Sequence, residues 1–243
     1  MSAAPGLTLC GSAEAGGRRL FPRIAFEAPP GVWTCLIGPS GVGKSTVLRL
    51  LAGLPTGVRF EGRVAASDGQ DLAGRVAWMA QDDLLLPWLD VAGNVALGAR
   101  LRGGRADPDA VRALVARVGL GAQSGQRPAA LSGGQRQRAA LARTLMEDRP
   151  VVLLDEPFSA LDARTRAEMQ NLAFAMLASK TVVLVTHDPG EAARLGARLW
   201  LMSETGLAEV APPPGPAIRA LDDPESLRVQ GALLRRLREG APS

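Results

Sequence analysis

The chain has 243 residues, 47% hydrophobic and 21% charged, with a formal net charge of +4 and a pI near 10.0. That length and balance fit one large folded α/β domain with an attachment better than two unrelated domains, and no apolar run approaches the eighteen or more residues of a bilayer span. The basicity is not a nucleic-acid signature, because 26 of the 28 basic residues are arginines dispersed along the chain, Lys44 and Lys180 being the others.

Taken in order, the first residues, MSAAPGLTLCGSAEAGG, lack a basic stretch followed by an apolar core, so a secreted protein is not expected. Cys10 and Cys35 belong to no Cys/His cluster; two free thiols in a reducing cytosol are expected, and no structural zinc. Residues 5 to 36 and 56 to 72 are rich in Gly, Pro and short apolar runs, which predicts a small antiparallel sheet. Within the first of these, Trp33 to Ile37 is an apolar strand entering a Gly-rich loop, and Lys44 to Leu54 has the leucine spacing of the helix that follows.

Residues 75 to 79, RVAWM, predict another strand. The stretch 87 to 145 is mostly helical: Asp107-Pro108 starts a helix, Gly119 ends it, and 120 to 130 is loop. VVLLD at 151 to 155 and TVVLVT at 181 to 186 are unalternating β-rich runs, as in strands covered on both faces of a parallel sheet. Asp162 can cap a helix through Leu177, and Asp188, Pro189 and Glu191 start another that runs to Leu195. The alternation predicts a wound α/β core interrupted by a helical lobe. From 206 onward PPPGP (212 to 216) is a stiff linker and Pro224 to Arg238 an amphipathic helix.

Chemistry concentrates in a few segments. GPSGVGKST, residues 38 to 46, places Gly38, Pro39, Ser40, Gly41, Val42, Gly43, Lys44, Ser45 and Thr46 between an apolar strand and a helix. The glycines let backbone N–H groups close around phosphates, Lys44 reaches the β- and γ-phosphates, and Ser45 can ligate Mg²⁺. VVLLDE delivers Asp155 at the end of a buried strand, where a carboxylate can serve the same Mg²⁺, and Glu156 beside it can orient and deprotonate a water. His187, the only histidine, follows TVVLVT at the carboxyl end of a strand, where parallel sheets place ligands. Gln81 follows RVAWM and is positioned to touch Mg²⁺ or the attacking water. Behind it Leu84 to Leu86 and Trp88 form an apolar set that either packs inside the lobe or docks a hydrophobic partner.

LSGGQ, residues 131 to 135, is a second anion site. Ser132 and Gln135 have the spacing of a capping box, so the helix from Gly133 turns Gly134, its other N–H groups and its positive end outward. Lying in the helical lobe, it is not expected to fold over the phosphates of its own chain. A second copy related by a two-fold axis would bring it there, each chain covering the other's γ-phosphate.

GPSGVGKST, Gln81, LSGGQ, VVLLDEP, SALD at 159 to 162 and His187, in that order, resemble the ATP-binding subunit of an ABC transporter, over roughly residues 5 to 205. The resemblance implies a P-loop NTPase, RecA-like, with a parallel-sheet core, an antiparallel β subdomain and an inserted helical subdomain of about 87 to 145. It divides the chain into an ATPase domain, 1 to 205, and a linker with a helical tail, 206 to 243. It implies ATP and Mg²⁺ as cofactors, Glu156 as catalytic base, His187 as γ-phosphate switch, Asp162 as a cross-dimer contact and Gln81 as the link to a membrane partner. One cassette without a membrane span resembles a bacterial importer subunit, most often a homodimer, peripheral on the cytoplasmic face of the inner membrane. Its partners would be separate transmembrane permease subunits and, indirectly, a periplasmic or extracellular solute-binding protein.

QDDLLLPWLDVAGNVALG resembles the corresponding region of ATPases serving nitrate, sulfonate, taurine and thiamine-precursor importers. The chain departs from the family in having no tyrosine: residues 13 to 17, AEAGG, offer no ring to stack on adenine, and Phe21 is the nearest substitute. A soluble ABC ATPase working on nucleic acid or ribosomes is the alternative, but such proteins carry paired cassettes or long coiled coils, and this chain has neither. A nucleotide-gated adaptor that does not hydrolyse is disfavoured by Glu156 and His187.

Overall fold

The computed structural model describes residues 4 to 239. The order is β1 (Leu7–Ala15), β2 (Arg18–Ala28), β3 (Trp33–Ile37), α1 (Lys44–Leu51), β4 (Arg59–Ala66), β5 (Val76–Met79), α2 (Val91–Val95), α3 (Leu97–Leu101), α4 (Pro108–Arg117) and α5 (Gly133–Leu145). There follow β6 (Val151–Asp155), α6 (Ala163–Met176), β7 (Thr181–Thr186), α7 (Pro189–Leu195), β8 (Arg198–Ser203), β9 (Gly206–Val210) and α8 (Pro224–Glu239). The described residues divide into two compact units: residues 4 to 76, 150 to 155 and 179 to 239, and residues 77 to 149 and 156 to 178.

In the first unit β1 pairs antiparallel with both β2 and β4, giving the small sheet its order β2-β1-β4. A parallel array runs β6-β7-β3-β8, and β9 closes its edge antiparallel to β8. Every residue of β3, β6 and β7 is buried, which is why these strands read as continuous apolar runs. The register sets Ile37 beside Thr186 and Asp155 beside Val185, so β3, β6 and β7 end at one edge. Trp200 of β8 donates its indole N–H to the Glu27 carbonyl at 2.8 Å and packs against Phe26, tying the two sheets together.

The segment after β9 is fastened to α7 by a buried arginine. Arg219 Nη1 donates to the carbonyls of Ala193 and Gly196, both at 2.9 Å, and Nη2 to those of Pro213 at 2.7 Å and Gly215 at 3.2 Å. It thus satisfies carbonyls at the C-terminal end of α7 while holding the proline-rich turn, and α8 packs on α7 with Val229 and Leu233 buried.

The second unit is helical. Asp107 caps α4 and Gly119, at φ 70°, follows its end. Val91, Val95, Val111, Leu114, Val115, Leu141 and Leu145 form the core among α2, α4 and α5. Buried Asn94 secures the preceding loop: its amide donates to the carbonyls of Leu86, Leu89 and Asp90, and its Oδ1 accepts the Leu86 N–H at 2.7 Å.

Candidate functional site

In the first unit the ends of β3, β6 and β7 deliver, respectively, the loop from Gly38, the Asp155 carboxylate and His187 to one edge of the sheet. This is the carboxyl edge, where open parallel sheets bind ligands. The loop is tightly specified. A Cβ on Gly38 would lie 2.4 Å from the Met202 carbonyl oxygen, and Gly43 sits at φ 107° with Phe21 2.9 Å from where a side chain would begin. Over Gly41, in contrast, a Cβ would meet nothing within 4 Å, so this face of the loop is open to a ligand. Pro39, Ser40 and Gly41 are exposed, while Val42 is buried and anchors the loop.

Lys44 is buried, and its ammonium donates to the carbonyls of Gly38 and Pro39, both at 2.8 Å, which arches it across the loop's mouth. It opens α1 together with Ser45 and Thr46, both half-buried at the helix's positive end. His187 is exposed. The buried Thr186 before it donates to Glu191 Oε2 at 2.7 Å and accepts the Asp188 N–H at 3.0 Å, and Asp188 caps α7. Phe21 is wholly buried beneath the loop and cannot offer a ring face to a base. The substitution considered from its position in the sequence is therefore wrong: that phenylalanine belongs to the support of Gly43.

In the second unit the capping box on α5 is complete. The Ser132 hydroxyl accepts the Gln135 N–H at 3.2 Å and the Gln135 side chain accepts the Ser132 N–H at 2.7 Å. Ser132 and Gly133 are exposed, and a Cβ on Gly133 would have nothing nearer than an Arg136 nitrogen at 3.9 Å; Gly134 instead lies against the Ala160 carbonyl. Glu156 is half-buried with φ 50°, a left-handed backbone conformation unusual for a residue with a side chain. Asp162 caps α6, and the Thr165 N–H donated to it holds its carboxyl below the usual carboxylate range.

Gln81 is exposed, as are Leu84 and Trp88 at 56% and 66%, whereas Leu85 is buried. The apolar set thus divides between core and surface. Asp83 accepts from Arg136 Nε at 3.0 Å, and Arg143 donates to the carbonyls of Asp83 and Leu84, both at 2.7 Å, binding this exposed loop to α5. These anchors were not found from sequence, nor was buried Gln137, which bonds the turn after Glu156. Gln137 stands two residues after LSGGQ at a helix position whose neighbours at helical spacing, Ala140 and Leu141, are core, and that spacing was the available signal.

Ser45 and Asp155 supply a hydroxyl and a carboxylate oxygen, hard donors of the kind Mg²⁺ takes in phosphate sites, so these residues fit that ion. Among the described residues no cluster of three or more His, Cys, Asp or Glu forms a separate metal cage, and no helix is long and apolar enough to cross a membrane.

Comparison with known proteins agrees with this arrangement. The family model described as ABC transporter matches residues 21 to 159. An uncharacterized ABC transporter ATP-binding protein of Haemophilus influenzae is 42% identical over 91% of this chain and 93% of its own length. The aliphatic sulfonates import ATP-binding protein SsuB of Delftia acidovorans is 40% identical over 91% of this chain and 89% of its own. Among solved structures, the dimeric post-hydrolysis state of the ATP-binding cassette MJ0796 bound to ADP and Pi is similar with a TM-score of 0.74 at 26% identity, over 88% of this chain and 99% of that one. A bacterial Atm1-family ABC exporter with ATP bound gives a TM-score of 0.76 at 26% identity, over 98% of this chain and 43% of that one. A P-loop, a strand-end aspartate and a lone histidine on one sheet edge, with a capped LSGGQ helix, are thus found in a chain that belongs to the ATP-binding subunits of the ABC transporter family.

Proposed function

We propose that this chain is the ATP-hydrolysing subunit of a solute importer, pairing with a second copy when ATP is bound and driving separate permease subunits. The observation that carries the reading is the exposed, fully formed capping box of Ser132 and Gln135, an anion-binding helix end additional to the P-loop. A dimeric solved relative bound to ADP and Pi, and relatives named for aliphatic sulfonate import, support the dimer and the direction of transport. They also make short organic sulfonates the solute class to test first.

In this reading the P-loop N–H groups and Lys44 hold the triphosphate, and Ser45 and Asp155 would hold Mg²⁺, to which Gln81 would also contribute. Mg²⁺, when bound, neutralises charge on the β- and γ-phosphate oxygens. Glu156 takes a proton from water as its oxygen forms a bond to the γ-phosphorus, the bond to the ADP oxygen breaks, and His187 donates to a γ-phosphate oxygen. The second copy's Ser132–Gln135 segment closes over the γ-phosphate, and Asp162 contacts that copy. The ATPase domain runs to about residue 210, past the boundary of 205 expected from sequence, because Gly206–Val210 pairs with Arg198–Ser203 in the main sheet; its helical subdomain is at about 87 to 145, and 211 to 243 are linker and tail. Exposed Leu84 and Trp88, in the loop that follows Gln81, offer the permease an apolar surface. That partner puts the chain on the cytoplasmic face of the membrane, reached by a solute-binding protein only through the permease; no nucleic acid is involved.

The deciding experiment is Glu156→Gln, assayed with the permease present. ATP binding persists, phosphate release falls by about a hundredfold or more, and a nucleotide-dependent dimer accumulates on size exclusion. Phosphate release at the parent rate would remove Glu156 as the base.

A further inference from the structure

Glu156 is held in a conformation that a side-chain-bearing residue adopts at a cost, and such strain persists only where neighbouring groups impose it. Its carbonyl oxygen is where they do so. That oxygen accepts Gln137 Nε2–H at 2.9 Å, the Ser159 hydroxyl at 3.1 Å and the Ser159 N–H at 3.3 Å. Gln137 spans the whole turn: Nε2 also donates to Ser159 Oγ at 3.1 Å, and Oε1 accepts the Ala160 N–H at 2.8 Å. Its side chain projects from the second turn of α5, the helix that begins at the Ser132 cap, and is 6% exposed. A planar amide with a donor and an acceptor at fixed separation is the group such a turn requires, since it must give a hydrogen to one carbonyl and take one from an N–H four residues on.

We propose that Gln137 is the positioning residue for the catalytic base, its amide fixing the left-handed backbone of Glu156 from which the carboxylate acts. The inference rests on Glu156 being the base. It carries a consequence for the paired molecule: the helix whose end covers one nucleotide is bonded, one turn later, to the residue that activates water against the other. Movement of α5 against the neighbour's phosphate is thereby felt at the chain's own base.

Two variants separate positioning from space filling. Gln137→Met keeps length and apolar volume but removes the donor and the acceptor. Gln137→Glu keeps the outline and an acceptor for Ala160 but offers no hydrogen to Glu156. Both lower kcat at least tenfold in single-turnover hydrolysis by full-length protein, while the KM for ATP and the affinity for a non-hydrolysable ATP analogue stay within about twofold of parent. In a Glu156→Gln background, where the base is already lost, Gln137→Met causes no further decrease in the residual rate. Parent-like kcat in Gln137→Met, loss of analogue binding in parallel with kcat, or penalties that multiply in the double variant each overturn the proposal. Full-rate hydrolysis by Glu156→Gln alone removes the base assignment instead, whatever Gln137 does.

Discussion

Lys44 is a buried cation satisfied by two carbonyls of its own loop, so its charge is already directed to the loop's mouth. Lys44→Ala removes that charge, and triphosphate affinity is expected to fall by tenfold or more in equilibrium dialysis, with far-ultraviolet circular dichroism unchanged. Asp162 gives a pH-dependent counterpart. Its folded-state pKa lies below the ordinary 3.8, because the Thr165 N–H favours the ionised form. Its contribution to stability is accordingly complete above the unfolded value and is lost as pH falls through the lower folded one. The gap in Tm between parent and Asp162→Ala is expected near neutrality and should close as pH falls below the ordinary carboxylate range. At this scale the Gly-rich loop between strand and helix was legible, since its fixed spacing of glycines and Lys44 is a local signal. Phe21 was misread because proximity in sequence does not reveal which way a strand residue faces: its ring supports Gly43 from beneath.

At the scale of elements, α5 depends on its first turn. Ser132→Ala removes one half of the capping box and is expected to destabilise the chain by about 1 kcal/mol in urea unfolding. Hydrolysis should fall much further than that loss of stability accounts for, if the same residue also meets a nucleotide. The box could be read from Ser-x-x-Gln spacing, and the buried parallel strands from their lack of alternation, because both signals are local. The bonds made by Asn94, Arg219 and Gln137 could not be read. Each polar side chain answers backbone groups that only the fold brings near, Arg219 across a proline-rich turn to Ala193 and Gly196. Arg219→Ala leaves several buried carbonyls without donors, and a loss of about 2–3 kcal/mol is expected in the same assay, with proteolysis beginning between β9 and α8.

For the whole molecule, the proposed division of labour between two copies can be tested by mixing. Chains bearing Lys44→Ala keep a sound LSGGQ helix, and chains with Ser132→Ala and Gly133→Asp keep a sound P-loop. Neither population should hydrolyse ATP alone, while random pairing of equal amounts should restore about a quarter of the parent's sites. Silence of the mixture would mean that each chain works with its own LSGGQ segment. The sequence could suggest this arrangement only because it holds a Gly-rich loop and a separate capped helix start, each of a kind suited to anions; symmetry is a property of pairs, and one chain's residues do not display it.

The contrast between the two cysteines has a practical outcome. Cys10 is half-exposed, whereas Cys35 lies at the centre of β3 with its thiol pushed up by burial, first of all, and by the Glu191 carboxylate. A maleimide dye should therefore attach at Cys10 alone in the native protein, giving a single label on the small sheet without any engineering. A second equivalent entering at Cys35 would time the opening of the strand that feeds the phosphate loop.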